Sequence, residues 1–425
     1  MRNLMIACVL VVIAATWIPG TPAAADTTWL QWGGPRRNFV VDSPGLASSW
    51  PASGPPKIWS RDLGEGHSAI VADGGRLYTM YRPLGMLSMI RRSQQEIVTA
   101  IDAANGRTIW EYAIDSPTAG FNLSEGAGPH STPLLVGDRL FVMTSRVEIA
   151  ALDKSTGKRL WYHDLVKEVG APPDDRGYSS SPIAYRGTVI VPAGGPGASV
   201  VAFNQATGAI AWKNGNFRVA PGSPVLINVD GEDQLVVSGA AEVVGVDPAN
   251  GTTLWSHPNK TDYGLNISTP VWGEGNLLFL SAAYNNGARL LKLTRGGGKT
   301  TVQELWMQNR MRVHIGTVIR LGDFAVGSSG DFGPCPAVAI DLKTGQILWQ
   351  SREFARSMFL HADGKLIVLD EDGTLGIATA TRQGLTVLAK TPVLTNRAWT
   401  PPTLAGTKLY VRDRKQMIAL ELGAR

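Results

Sequence analysis

Short runs of alternating small and apolar residues recur along this chain, each closed by an acidic or amide residue and a turn. The fullest reads Ala100-Ile101-Asp102-Ala103-Ala104-Asn105-Gly106-Arg107-Thr108-Ile109-Trp110. Period-two alternation marks strands. The Asp side chain accepts from backbone N–H groups just ahead of it. The glycine four residues on suits a left-handed position in a short hairpin loop with a bulge. The tryptophan lies on the returning strand, where its large apolar ring can wedge against a neighbouring unit. The pattern returns as Asp153, Gly157, Trp161; as Asn204, Gly208, Trp212; as Asp247, Gly251, Trp255; and as Asp341, Gly345, Trp349. Worn copies lie around residues 291–306, ending in Trp306, and around 376–387.

The tryptophans from Trp110 to Trp349 are spaced 51, 51, 43, 51 and 43 residues apart. A period of this size with four strands per repeat predicts a β-propeller. Lys57-Ile58-Trp59-Ser60-Arg61-Asp62 reads as an outer strand with no hairpin before it, and Trp59 stands 51 residues before Trp110. Met417-Ile418-Ala419-Leu420-Glu421 reads as the strand preceding such a hairpin, after which the chain stops. The expected fold is therefore all-β: an eight-bladed propeller of four-stranded antiparallel blades, closed by pairing the N- and C-terminal strands. Trp59, Trp110, Trp161, Trp212, Trp255, Trp306 and Trp349 are expected to be structural and largely buried between blades.

This repeat resembles the pyrroloquinoline-quinone-type propeller family over roughly residues 29–421. That family includes quinoprotein alcohol dehydrogenases, the barrel-assembly propeller lipoprotein of bacterial outer membranes and other secreted propellers. The resemblance implies a fold, while one repeat serves catalysts and scaffolds alike.

The start of the chain reads as a secretory signal over residues 1–25. Arg2 precedes an apolar run, and Pro22-Ala23-Ala24-Ala25 offers a small-residue cleavage site. Cys8 falls inside the run, too early for the lipidated cysteine of a mature lipoprotein. Residues 26–56, rich in turns and tryptophan, are expected to pack across a face or rim of the propeller, which spans 57–425. The expectation is a periplasmic or secreted monomer with no transmembrane segment after cleavage. The formal net charge of +5 is mild, and the basic residues form short clusters, so no nucleic-acid partner is expected. Cys335 alone survives processing and cannot form an internal disulfide.

Most blades open with a small-residue and proline motif, as at Ser131-Thr132-Pro133, Ser180-Ser181-Pro182 and Ser268-Thr269-Pro270. Proline suits a strand's first residue, where no ladder donor is lost. In or just before these motifs stand His67, His130, Tyr178, Asn266, His314, Arg356, Arg397 and Trp399. A ring brings such positions together around one funnel mouth. Their types vary from blade to blade, as an asymmetric ligand would require, and they form the candidate ligand-binding site. A solvated polar rim would give the same assortment. Two histidines and two arginines favour an anionic or carbonyl-bearing ligand, more so below about pH 6.5, where imidazole gains charge. A metal site from His67, His130 and His314 has no supporting local spacing, and none is expected.

Two insertions stand out. The stretch 82–96, apolar and flanked by arginines, suits contact with a partner or a membrane surface, or a loop folded onto its own rim. The stretch 115–129 is a long link able to cover the funnel. Gly296-Gly297-Gly298-Lys299-Thr300 lacks the first glycine of a phosphate loop and reads as a hairpin turn. Neither a nucleophile elbow nor a zinc-protease motif occurs.

The reading is an exported, non-catalytic binding or scaffold module of the cell envelope. Its partner is an envelope protein or a small-molecule ligand, and it needs no cofactor. The alternative is a quinoprotein (PQQ-dependent) dehydrogenase with calcium beside the quinone in the central channel. Against it stands the absence of the adjacent cysteines that the resemblance would supply. A glycan- or lyase-type site using His67, His130, Tyr178 and Arg356 is a third reading.

Overall fold

The computed structural model describes residues 26–84 and 94–424. The expected signal at 1–25 and most of the insertion at 82–96 lie outside them. The described residues form eight antiparallel sheets arranged as blades. The first comprises Val71–Asp73, Arg76–Tyr81, Gln95–Asp102 and Thr108–Asp115. Six more follow in sequence. The eighth takes Thr403–Ala405, Lys408–Arg412 and Gln416–Glu421 from the end of the chain and Lys57–Asp62 from its beginning. Trp59 faces Ala419 and Asp62 faces Gln416 in this closing pair. The closure removes the two free sheet edges that an open ring would leave.

Each outer strand carries a bulge, beside its tryptophan in seven blades and at Leu388 in the strand Leu385–Pro392. In the first blade Ile101 pairs with Thr108 and Ala100 with Trp110, leaving Ile109 as the extra residue. The hairpin behaves as its chemistry requires. Asp102 Oδ1 accepts from Ala104 N at 2.8 Å, and Gly106 takes φ +75°. The Gly297-Gly298 pair, with φ of +57° and +78°, forms a two-residue hairpin between Gly287–Gly296 and Lys299–Gln308, not a phosphate loop.

All of the repeat tryptophans but Trp255 dock on the next blade. Trp59, Trp110, Trp161, Trp212 and Trp306 lie over Gly106, Gly157, Gly208, Gly251 and Gly345. Nε1 of Trp110 donates to Lys154 O, and that of Trp161 to Gln205 O, each at 3.1 Å. Trp59 and Trp255 are buried, but Trp110, Trp161, Trp212, Trp306 and Trp349 are half-buried. None of the seven is solvent-exposed. Trp255 departs from this docking. Its ring turns onto Gly245 of its own blade, and its Nε1 donates to Gln234 Oε1 at 2.7 Å.

The motifs opening the blades form a belt of hydrogen bonds from blade to blade. Thr132 N donates to Ser181 Oγ at 3.1 Å, and Ser181 N to Ser223 Oγ at 3.0 Å. Thr400 Oγ1 donates to His67 O at 3.2 Å across the closing junction. The hydroxyls thus satisfy backbone groups at strand starts, where proline supplies no donor.

Residues 29–41 reach the inner strands, while Leu46 bridges Gly423 and Pro56 O accepts from Glu421 N at the eighth blade. Trp29, 1 % exposed, pairs with Ala72 at the far end of the first inner strand. Leu30 O accepts from Leu135 N of the second blade, and Trp32 Nε1 donates to Thr269 Oγ1 of the fifth. Val40–Val41 pairs in parallel with the inner strand Ser357–Ala362 of the seventh blade. The segment crosses the ring and floors the channel, with Trp32 reaching the Ser268-Thr269-Pro270 motif. No helix among the described residues is long and apolar enough to cross a membrane.

Candidate functional site

Strand direction decides which loops share a face. The link into each inner strand and the turn between the second and third strands emerge at one end. The remaining turns and the N-terminal plug occupy the other. The first end opens into a blind cavity of about 1260 Å³, floored by Trp32, Arg37 and Phe39. Of the eight candidate residues, His67, His130, Tyr178, His314, Arg356, Arg397 and Trp399 line it.

Asn266 does not, which corrects its place in the candidate set. It is 2 % exposed, and its Nδ2 donates to Gly239 O and Asn259 O, each at 2.7 Å. It ties the fourth blade to the fifth. Tyr178 borders the cavity with its ring, but its hydroxyl donates into the wall, to Pro192 O at 2.8 Å.

Around Trp399 the groups are tightly coupled. Its Nε1 donates to Glu371 Oε2 at 2.9 Å. The Arg397 guanidinium lies 4.7 Å and that of Arg356 5.8 Å from its ring centroid, within cation–π range. His67 stands 5.4 Å from the same ring and stacks on His130 at 5.6 Å, nearly parallel. The Nε2 atoms of these histidines meet Glu125 O at 3.2 Å and Arg176 O at 3.1 Å. The link at 115–129 therefore does reach the mouth. His67 Nδ1 is buried without a hydrogen-bond partner among the described residues.

A second cluster was not legible in the sequence. Tyr284 OH and His314 Nε2 lie 2.7 Å apart. Tyr263 and Phe332, 65 % and 77 % exposed, pack against the Tyr284 ring at 5.2 and 6.0 Å. Tyr284, Phe332 and Glu371 come from turns between second and third strands, so motif position gave no signal. Arg176 and Arg218 sit on links and also line the cavity.

The electrostatics correct the expected imidazole charge. Burial pushes His130 down to about 4, aided by the charges of Arg414 and Arg82. Burial likewise takes His314 to about 4, with Arg356 and Arg176 adding to the effect. His67 is held well below its ordinary value by burial and by His130. These rings are neutral near pH 6.5, and the arginines carry the positive field. Arg356, itself buried, places Nε and Nη2 each 3.4 Å from the Sγ of Cys335 and donates to Asp331 O at 3.3 Å. Cys335 therefore has a basic neighbour in space that its sequence surroundings lack.

At the edge of the 82–96 insertion, Arg82 is not a surface contact. It is 1 % exposed and its Nη2 meets Glu96 Oε1 at 2.9 Å in a fully buried ion pair. Residues 85–93 lie outside the described residues.

A family profile described as outer membrane protein assembly factor BamB matches residues 93–351. BamB of Yersinia pestis is 23 % identical over 360 residues, covering 84 % of this chain and 76 % of that protein. The quinohemoprotein alcohol dehydrogenase ADH IIB of Pseudomonas putida is 30 % identical over 133 residues, 30 % of this chain and 18 % of that protein. Among solved structures, BamB from Moraxella catarrhalis superposes with a TM-score of 0.60 at 16 % identity, covering 87 % of this chain and all of that one. Quinohemoprotein alcohol dehydrogenase ADHIIG from Pseudomonas putida superposes with 0.62 at 13 % identity, covering 94 % and 81 %. At these identities the superpositions establish a common fold.

The quinone with calcium that the dehydrogenase likeness implies does not fit this cavity. Calcium takes six to eight oxygen ligands, several of them carboxylate. No group of three or more His, Cys, Asp and Glu among the described residues is placed to hold a metal ion. Of the acids lining the cavity, Glu125, Asp174, Asp175 and Glu371, no three are grouped, and Glu371 accepts from Trp399. Arg356 and Arg397 flank Trp399 near Glu371, a field that repels a divalent cation.

Proposed function

We propose, from the premise that the chain belongs to the family of the outer membrane protein assembly factor BamB, that it is an exported, non-catalytic binding module of the cell envelope. Its signal would be removed before Asp26, and its ligand would occupy the funnel. The observation that carries this reading is the convergence of seven dissimilar side chains from six blades on one blind cavity. Concave sites with aromatic walls and a few directed polar groups are typical of ligand binding. The names of the relatives, as assembly factors of the outer membrane, support an envelope partner docked on the same propeller.

Expression with the leader, followed by fractionation and N-terminal sequencing, tests export: the soluble periplasmic fraction should hold a chain starting at Asp26. Binding of the anionic dye anilinonaphthalenesulfonate tests the funnel, and Arg397→Ala should weaken it. The dehydrogenase alternative is tested by adding pyrroloquinoline quinone and calcium to the mature chain. Tight quinone binding with alcohol-dependent dye reduction would reverse the assignment.

A further inference from the structure

We propose that the funnel binds an acidic oligosaccharide, a chain of sugar rings bearing carboxylates. This rests on the funnel-binding reading above and names the ligand's chemistry. Three independent features converge on it.

The first is size. The cavity, at about 1260 Å³, exceeds the roughly 300–1,000 Å³ typical of sites for single drug-sized molecules. Its occupant has several rings.

The second is the disposition of charge. Arg176 and Arg218 stand on the links into the third and fourth blades, Arg356 and Arg397 on those into the seventh and eighth. In a ring of eight these pairs face each other across the opening. Glu125, Asp174, Asp175 and Glu371 also line the cavity; the charges of Arg218 and Arg176 act on Asp174, but among the described residues no ion pair within 4 Å joins these acids to the four arginines. Arg356 is 7 % exposed and still lacks a carboxylate partner. Guanidinium groups on opposite walls suit an anion with several separated charges, and their planar forks match carboxylates.

The third is the exposed aromatic corner. Tyr263 and Phe332 stand at the mouth with most of their surface in water, set at 89° and 64° to Tyr284 between them. Such rings are held for contact with an apolar face. A pyranose presents a C–H face of that kind, and its hydroxyls suit the Tyr284–His314 pair. Trp399 is not free for stacking, because Arg397 and His67 already occupy its neighbourhood. A uronic acid chain carries one carboxylate and one apolar ring face per unit, which matches arginines on opposite walls beside an aromatic corner. Single-stranded nucleic acid shares the polyanion and the stacking but adds broad flat bases, for which these perpendicular rings leave no parallel slot.

The mature chain should be titrated calorimetrically with a short oligogalacturonate, its methyl ester, and a single-stranded oligodeoxynucleotide. The acid should bind at least about tenfold more tightly than the ester, the worth of one charge-assisted hydrogen bond. Raising salt should weaken it. Arg176→Ala and Arg397→Ala, both exposed and therefore safe for folding, should each cost about tenfold. Phe332→Ala should weaken acid and ester alike. Equal binding of acid and ester, no binding of either, or preference for the oligonucleotide overturns the proposal. Anilinonaphthalenesulfonate separates the two levels. If the dye binds the wild type and is weakened by Arg397→Ala but oligogalacturonate does not displace it, the sugar class falls and the funnel reading stands. If Arg397→Ala leaves dye binding unchanged, both fall.

Discussion

The indole of Trp59 lies over Gly106, so that a Cβ built on this glycine would sit 2.8 Å from ring atoms, and its Nε1 donates to Ala103 O at 2.9 Å. Trp59 belongs to the eighth blade through its pairing with Ala419, and Gly106 to the first. The distant ends of the chain meet in the Trp59–Ala419 pairing, and this contact fastens that closing pair to the first blade.

Gly106→Ala should therefore destabilise the propeller by about 1–3 kcal/mol, combining overpacking with left-handed strain. Gly74→Ala is the control, since Gly74 also has positive φ but nothing within 4 Å. Denaturant melts compare the two, and an equal loss would show that the Trp59 contact adds nothing. Deleting residues 416–425 removes the strand between 408–412 and 57–62 and should abolish the cooperative transition.

Trp255→Ala should cost about 3–5 kcal/mol, the range of large aromatic core truncations. Trp161→Ala, removing a half-buried ring from a rim position, should cost less, about 1.5–3 kcal/mol. The reverse order in denaturant melts would contradict the docking geometry.

Stability should fall between pH 6.5 and about 4. The folded values of His130 and His314, about 4, lie below the unfolded 6.5, so the unfolded chain binds more protons in this window. The contribution of these neutral rings is complete above pH 6.5 and lost as pH falls toward 4. The double variant His130→Gln, His314→Gln should flatten the slope of melting temperature against pH there. An unchanged slope would place the acid sensitivity elsewhere.

Glu96→Ala leaves the guanidinium of Arg82 buried without its carboxylate and should cost about 3–5 kcal/mol. Arg82→Ala with Glu96→Ala should lose less than the sum of the single changes. A double-mutant cycle measures the difference, and strict additivity would argue against a direct pair.

Much of the fold was legible because it is local and repeated. Asp102, Gly106 and Trp110 each follow from backbone chemistry within a few residues, and repetition turned that chemistry into a blade count. The closing pair of Trp59 with Ala419 was legible because each terminus showed the half-blade the other lacked. The funnel set was legible to the extent that a repeat position fixes a place on the ring.

The sequence by itself determined the hairpins, the number of blades, the closing strands and the ring of links from which His67 to Trp399 arise. The tertiary structure alone decided where each side chain points and what stands opposite it. Asn266 turned into the seam between blades and Tyr178 sent its hydroxyl to Pro192, because a buried polar group takes whichever backbone partner the packed neighbours leave. Residues 29–41 reached the inner strands because these offered unpaired edges, which no local pattern records. Arg176, Tyr284 and Phe332 joined the site because loops of different blades bend toward one axis. The imidazoles lost their charge for the same reason: closing the ring buried them among arginines that are far away along the chain. Repeat chemistry acts over a few residues and is written in their order, whereas desolvation and convergence act through space and exist only once the ring is closed.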